Sequence, residues 1–155
     1  MPGMPKTSAG LLMYRRSGGA IEVLLVHPGG PFWAKKDLGA WSVPKGECEP
    51  AEDELEAARR EVNEETGLAP GGPFTPLQAV KQPSGKLVVA WIVKFDCDPA
   101  TIRSNTFSLE WPPKSGRKAD FPEVDRAEWF SLQEARARIQ PGQLSLLDQL
   151  ERLLA

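Results

Sequence analysis

Three glutamates, Glu61, Glu64 and Glu65, follow one another at helical spacing. Residues three and four apart are neighbours on a helix surface. At 3.6 residues per turn these side chains fall within an arc of roughly 100°. Like charges so placed destabilise an isolated helix. A solvated acidic face is the ordinary explanation of a Glu-rich helix. The alternative is a hard cation that neutralises the arc, and an oxygen-only donor set favours Mg²⁺, Mn²⁺ or Ca²⁺ over zinc or copper.

The flanking residues say where this helix starts and stops. Asp53, with Glu56 three residues on, is an acidic capping pair that predicts a helix beginning near Asp53. Gly67 stands where a left-handed C-terminal cap is wanted. Leu55, Ala58 and Val62 form an apolar stripe beside the carboxylates. The acidic arc is therefore expected at the lip of a groove and not on the most exposed face.

The whole segment, Gly46 to Leu68, resembles the Nudix box: Gly, five residues, Glu, seven residues, Arg-Glu, aliphatic, any, Glu-Glu, any, Gly, aliphatic. Gly46, Glu52, Arg60, Glu61, Val62, Glu64, Glu65, Gly67 and Leu68 meet every fixed position. A solvated acidic face does not explain the glycines, Arg60 and Glu52 in register. Trp41-Ser42-Val43-Pro44-Lys45-Gly46 leads into the box.

The resemblance implies an α+β fold, a Nudix-type α/β/α sandwich with a mixed curved sheet between helices. It implies hydrolysis of a nucleoside diphosphate linked to another moiety, with Mg²⁺ as cofactor and Mn²⁺ as substitute. By the same resemblance Glu61 and Glu65 are the strongest ligands. Glu64 is ligand and favoured base, and a carbonyl of Lys45 or Gly46 completes the metal shell. Arg60 is placed to hold Glu64 along the helix. Glu52 reads either as a contributor of metal or water binding or as a first-turn acid favoured by the helix dipole. Glu123, in Phe-Pro-Glu-Val-Asp-Arg-Ala-Glu-Trp, matches a position that in several Nudix groups is an extra ligand or the base.

The rest of the chain reads coarsely. Residues 1–6 read as a loose tail and 7–155 as one domain. Ser8 to Arg16 and Ile21 to Val26 read as strands around a Ser17-Gly18-Gly19 turn, and Trp41-Ser42-Val43 as a short strand. Thr75 to Lys81, Leu87 to Phe95 and Arg126 to Phe130 are further strand candidates. Residues 97–122 read as mostly irregular. Ser131 with Glu134 caps a helix to about Ile139, Pro141-Gly142 breaks it, and Leu144 to Leu154 is amphipathic.

Composition narrows the function classes. A 155-residue chain with 41% hydrophobic and 26% charged residues is a soluble globular domain able to bury a core. A net charge of −2 supplies no global basic field for nucleic acid or membrane. No apolar run reaches the length of a membrane span, and the N-terminus lacks a signal-peptide core. Cys48 and Cys97 have no metal or framework spacing, so reduced thiols in a cytoplasmic protein are expected, with one disulfide left open.

Cations and aromatics outside the box point to the substrate. Lys45 can meet a phosphate chain as a point charge. Its Pro-Lys-Gly setting resembles diadenosine polyphosphate and diphosphoinositol hydrolases. Lys35, Lys36, Lys114, Arg117 and Lys118 extend a candidate basic rim, and Trp33 and Trp111 are candidate base-stacking residues. Solvated charge and packing under a loop are the ordinary readings of these residues. His27 reads as a strand-end surface residue, with general acid as the alternative.

A dinucleoside polyphosphate that releases ATP or another nucleotide is the leading substrate class. Two features pull away from it. Typical diadenosine tetraphosphate hydrolases carry a Tyr where this chain has Ser84-Gly85-Lys86, and Pro83 resembles a position in ADP-ribose hydrolases, although it also suits a turn. A nucleoside triphosphate or ADP-ribose hydrolase stays open, as does a binding module that does not cleave.

Overall fold

The computed structural model describes residues 6–155. The expected tail over residues 1–6 lies outside the described residues except for Lys6, whose carbonyl accepts the Leu87 amide at 3.0 Å.

The hairpin expected at the start is present: β1 (Thr7–Ser17) pairs with β2 (Ala20–Pro28), with Tyr14 opposite Val23 and Ser17 opposite Ala20. Leu11, Leu12 and Met13 are all fully buried. Both faces of this strand are covered, which explains a continuous apolar run in place of alternation. β1 also runs parallel to β6 (Leu87–Lys94), from Thr7 opposite Leu87 to Tyr14 opposite Lys94. On the other side β2 pairs antiparallel with β9 (Val124–Ser131).

The second edge of β1 is shared. Beyond Tyr14 it pairs with β2, but Ser8, Ala9 and Gly10 pair with Glu47, Gly46 and Lys45 of β3 (Lys45–Glu47). The expected strand at Trp41-Ser42-Val43 is corrected accordingly: Trp41 and Ser42 make isolated bridges, and the strand lies a few residues later. The reason is local space. Residues 41–44 fill the gap where β1 and β2 diverge, with Ser42 exchanging 2.9 Å amide bonds with Val26 and Leu11 donating to the Pro44 carbonyl. A side chain at Gly10 would lie 2.4 Å from that carbonyl, so glycine lets the approach to the box lie flat on β1.

The expected strand over Thr75–Lys81 is two short pieces on β6, β4 (Thr75–Pro76) and β5 (Val80–Lys81). Residues 97–122 are a larger correction. They contain an antiparallel hairpin of β7 (Thr106–Glu110) and β8 (Lys118–Pro122), closed where the Trp111 amide donates to the Arg117 carbonyl at 2.9 Å. Its alternation is only two apolar positions per strand, too short to stand out among turn residues.

Helix α1 (Glu54–Thr66) begins and ends as its caps predict. The Asp53 carboxylate accepts the Glu56 amide, and Gly67 adopts φ 77° and donates to the Asn63 carbonyl. Ala57, Ala58 and Val62 pack with Ala9, Leu11 and Met13 on one face of the sheet. The opposite face carries Leu12, Trp41 and Val43 under α2 (Leu132–Arg138) and α3 (Leu144–Leu154). The result is an α+β sandwich, a mixed sheet between helices. Among the described residues no helix is long and apolar enough to cross a membrane.

Candidate active site

The box carboxylates gather around one guanidinium. Arg60 donates from Nε and Nη2 to the two oxygens of Glu52 at 2.8 and 2.9 Å. Its Nη1 donates to Glu61 at 2.9 Å and to Glu64 at 3.2 and 3.3 Å. The bidentate fork to Glu52 is the tightest of these contacts, and it fixes the plane of the guanidinium. The expected Arg60–Glu64 contact is present, and the principal partner is Glu52. Hydrogen bonds from Arg60 hold the Glu52 carboxyl at about 2, and chiefly these bonds raise Arg60 above the usual guanidinium range.

Glu65 is held differently. It is half-buried and accepts the Lys45 amide at 2.9 Å. Burial lifts its carboxyl to about 7 against the opposing pull of the Lys45 amide and charge, with Glu123 and Glu61 adding to the rise. Glu61 is also raised, first by burial and then by Glu64 and Glu123, against Arg60. Gly46 makes this packing possible. A Cβ there would stand 1.9 Å from Glu61 Oε2 and 2.2 Å from its carboxyl carbon.

Glu123 lies between β8 and β9. A backbone relay sets its position: the Glu123 amide donates to Asn105 O at 2.8 Å, and the Asn105 amide donates to Glu64 O at 2.9 Å. Partial desolvation and then the charge of Glu64 push its carboxyl up. Four carboxylates from two parts of the chain thus feel one another's charge. Nothing in the sequence singles out Asn105, a backbone-only bridge.

An all-oxygen set of mutually repelling carboxylates around a glycine cradle has the donor chemistry of a hard divalent cation. The residues present fit such an ion. Among the described residues no three acidic, His or Cys side chains are preset around one point, and Arg60 engages three of the carboxylates.

The candidate substrate residues divide. Lys45 is half-buried, and burial, then the nearby Lys86, lower its ammonium against Glu65, Glu47 and Glu61. Lys86 itself lies 3.8 Å from Glu47, a cation beside the box that comes from a distant turn and carries no local signal of that position. Lys35 and Lys36 are exposed on the loop after β2, and the Lys36 ammonium sits 5.1 Å above the Trp33 ring. Trp33 packs against the core under that loop, as the ordinary reading has it. Lys114, Arg117 and Lys118 are exposed at the β7–β8 turn, and half-buried Trp111 meets Phe32.

His27 corrects the surface reading. It is fully buried, with Nδ1 2.8 Å from Asp125 and Nε2 2.6 Å from the Lys36 carbonyl. Because β2 ends beneath the loop and not at its edge, His27 ties that loop to the segment two residues after Glu123. Cys48 and Cys97 are both free, so no disulfide forms.

The model of the NUDIX domain matches residues 4–150. An asymmetrical bis(5'-nucleosyl)-tetraphosphatase of Caenorhabditis elegans is 41% identical over 61 residues, 39% of this chain and 40% of that protein. A Mus musculus protein of the same description is 30% identical over 103 residues, 59% of this chain and 66% of its own length. An RNA pyrophosphohydrolase of Erythrobacter litoralis is 41% identical over 63 residues, 37% of each chain. The chain thus matches less than two thirds of the length of these relatives. Among solved structures, a binary complex of C. elegans Ap4A hydrolase superposes with a TM-score of 0.67 at 25% identity, covering 95% of this chain and 97% of that one. The NUDIX domain of Shewanella oneidensis NrtR, solved with ADP ribose, gives 0.68 at 16% identity over 99% and 90%, a likeness of fold alone.

Proposed function

The chain belongs to the NUDIX family, and on that premise we propose that it is a Mg²⁺-dependent pyrophosphohydrolase of nucleotides, with dinucleoside polyphosphates as preferred substrates. The observation that carries this reading is the carboxylate set: Glu52, Glu61 and Glu64 on Arg60, Glu65 on the Lys45 amide, and Glu123 facing them.

Glu61, Glu64, Glu65 and Glu123, with the Gly46 carbonyl, are the groups that would hold the cation. When bound, such a cation neutralises phosphate oxygens and acidifies the attacking water. The residues do the remaining work. Glu64 is the less encumbered of the Arg60 partners, at 3.2–3.3 Å against 2.8–2.9 Å for Glu52. It can accept the proton from water while Arg60 holds its orientation. Glu52 serves as the fixed anchor of Arg60. Lys45, with Lys86 beside it, offers positive charge to a phosphate chain, and Arg117 with Lys35 and Lys36 extends that charge at the loops.

The substrate preference is supported by the Ap4A hydrolase likeness of both the sequence and the fold. More phosphates also offer more charge for Lys45 and Lys86 to meet. The test is a panel of diadenosine tetra-, penta- and hexaphosphate, ADP-ribose and nucleoside triphosphates, with products resolved by chromatography. Turnover should require Mg²⁺ or Mn²⁺ and stop with chelator. Glu64→Gln should lower kcat by about 10²–10⁴ with an unchanged fold. Lys45→Ala should reduce the preference for longer chains. Full turnover in excess chelator refutes the mechanism, and a better ADP-ribose or triphosphate substrate refutes the preference.

A further inference from the structure

Outside both cores lies a third group of aromatic side chains. Phe107 and Phe121 are register partners in the β7–β8 hairpin, with ring centroids 6.0 Å apart. Residues two apart share a strand face, so Leu109 continues the strip from Phe107, Trp111 follows just past the strand end, and all are half-buried. From the loop after β2, Phe32 meets Trp111 edge to face at 5.5 Å and 88°. The Phe32 side of this pair is 59% exposed. None of these rings packs into either core.

This strip is joined to the carboxylates. Its first register pair, Thr106 with Pro122, lies next to Asn105 and Glu123, two members of the backbone relay to Glu64. The four residues from Phe107 to Trp111 then carry it outward by about 14 Å. The Phe107 ring also stands 2.9 Å from where a side chain on Gly30 would begin, so the loop and hairpin meet closely. The strip is half-buried with Phe32 exposed at its end, and exposed apolar surface rimmed by charge marks ligand sites. Lys114, Arg117 and Lys118 supply that charge at the tip. What the strip offers is aromatic faces, which match a nucleobase. Inorganic polyphosphate or a phosphorylated cyclitol has no such face to present.

We propose that Phe32 and Trp111 form a stacking site for a nucleobase of the substrate, set off from the carboxylates by the Phe107–Leu109 strip. The site rests on the nucleotide reading above and specifies which end of the ligand the hairpin holds. It sets specificity by KM, because the rings lie away from the reacting phosphorus and act equally on ground and transition states.

The test is calorimetric titration of the full chain with ADP and with pyrophosphate in Mg²⁺. Base stacking should make ADP bind about tenfold more tightly than pyrophosphate. Phe32→Ala with Trp111→Ala should bring ADP to within about twofold of pyrophosphate, leaving pyrophosphate unchanged. Phe32→Tyr with Trp111→Phe should restore the difference. Leu38→Ala, an exposed apolar change at 72% exposure on the same loop, should leave both affinities as they are. Both rings lie outside the cores, so thermal melting should confirm an intact fold. Unchanged ADP affinity in the double variant, or an equal loss for pyrophosphate, overturns the base site. Nucleotide turnover reports separately. An active enzyme indifferent to both rings loses the base site and keeps the hydrolysis. Ring-dependent ADP binding without turnover of any nucleotide keeps the base site and refutes the hydrolysis.

Discussion

Gly46→Ala separates the chemistry of this site from its stability. The new methyl would meet Glu61 Oε2 at 1.9 Å, Cδ at 2.2 Å and Cγ at 2.7 Å. Every one of these atoms belongs to a flexible side chain, so Glu61 can swing aside while β3 keeps its pairing with β1. Alanine adopts extended backbone freely. An off-rotamer Glu61 costs about 0.5–1.5 kcal/mol. Loss of the 2.9 Å bond from Arg60 adds about 1 kcal/mol. The sum is about 1.5–2.5 kcal/mol, or a fall in Tm of roughly 3–10 °C at this size. Activity should suffer far more, because Glu61 is a proposed cation ligand and a ligand moved by about 1 Å costs on the order of 10²-fold in kcat/KM. The assay is thermal melting beside Mg²⁺-dependent nucleotide turnover. In a Glu61→Ala background the obstruction is gone, and Gly46→Ala should then cost less than about 0.5 kcal/mol. The reasoning is refuted if Gly46→Ala keeps kcat/KM within about threefold of the parent. It is also refuted if its stability cost is the same with and without the Glu61 side chain.

Three further outcomes are expected. Arg60→Lys retains charge but not the fork to Glu52, so kcat should fall about tenfold while KM changes little, as steady-state kinetics would show. The folded Glu52 carboxyl, at about 2, lies below its ordinary 4.5. Its pairing with Arg60 therefore stabilises the fold fully above pH 4.5 and loses that effect as pH falls toward 2; Glu52→Gln should flatten this limb in denaturant titrations across pH. His27→Ala leaves a buried void and strips Asp125 and the Lys36 carbonyl of a partner. It should cost about 2–4 kcal/mol by denaturant unfolding, where a surface histidine would cost almost nothing.

The helix that carries the site was legible because its signals are local. Asp53, Gly67 and the Ala58–Val62 stripe each act within a turn or two of their own position, and the caps form as the residues dictate. The paired strands around Ser17-Gly18-Gly19 were legible for the same reason. The spacing of Glu61, Glu64 and Glu65 likewise fixes a shared helix face without any tertiary contact.

Tertiary structure decided what those local signals leave free. The location of β3 depends on the gap between diverging β1 and β2, which no neighbour in the chain reveals. His27 is buried because a loop nine residues on folds over it, and strand-end polarity carries no trace of that cover. Glu123 is tied to Glu64 through the backbone of Asn105, where side-chain identity is mute. The sequence determined which charged groups the helix and its flanks carry, since charge, spacing and caps are properties of residues. Only the fold decided which of them meet, because contacts between distant segments are set by packing and not by any one segment's composition.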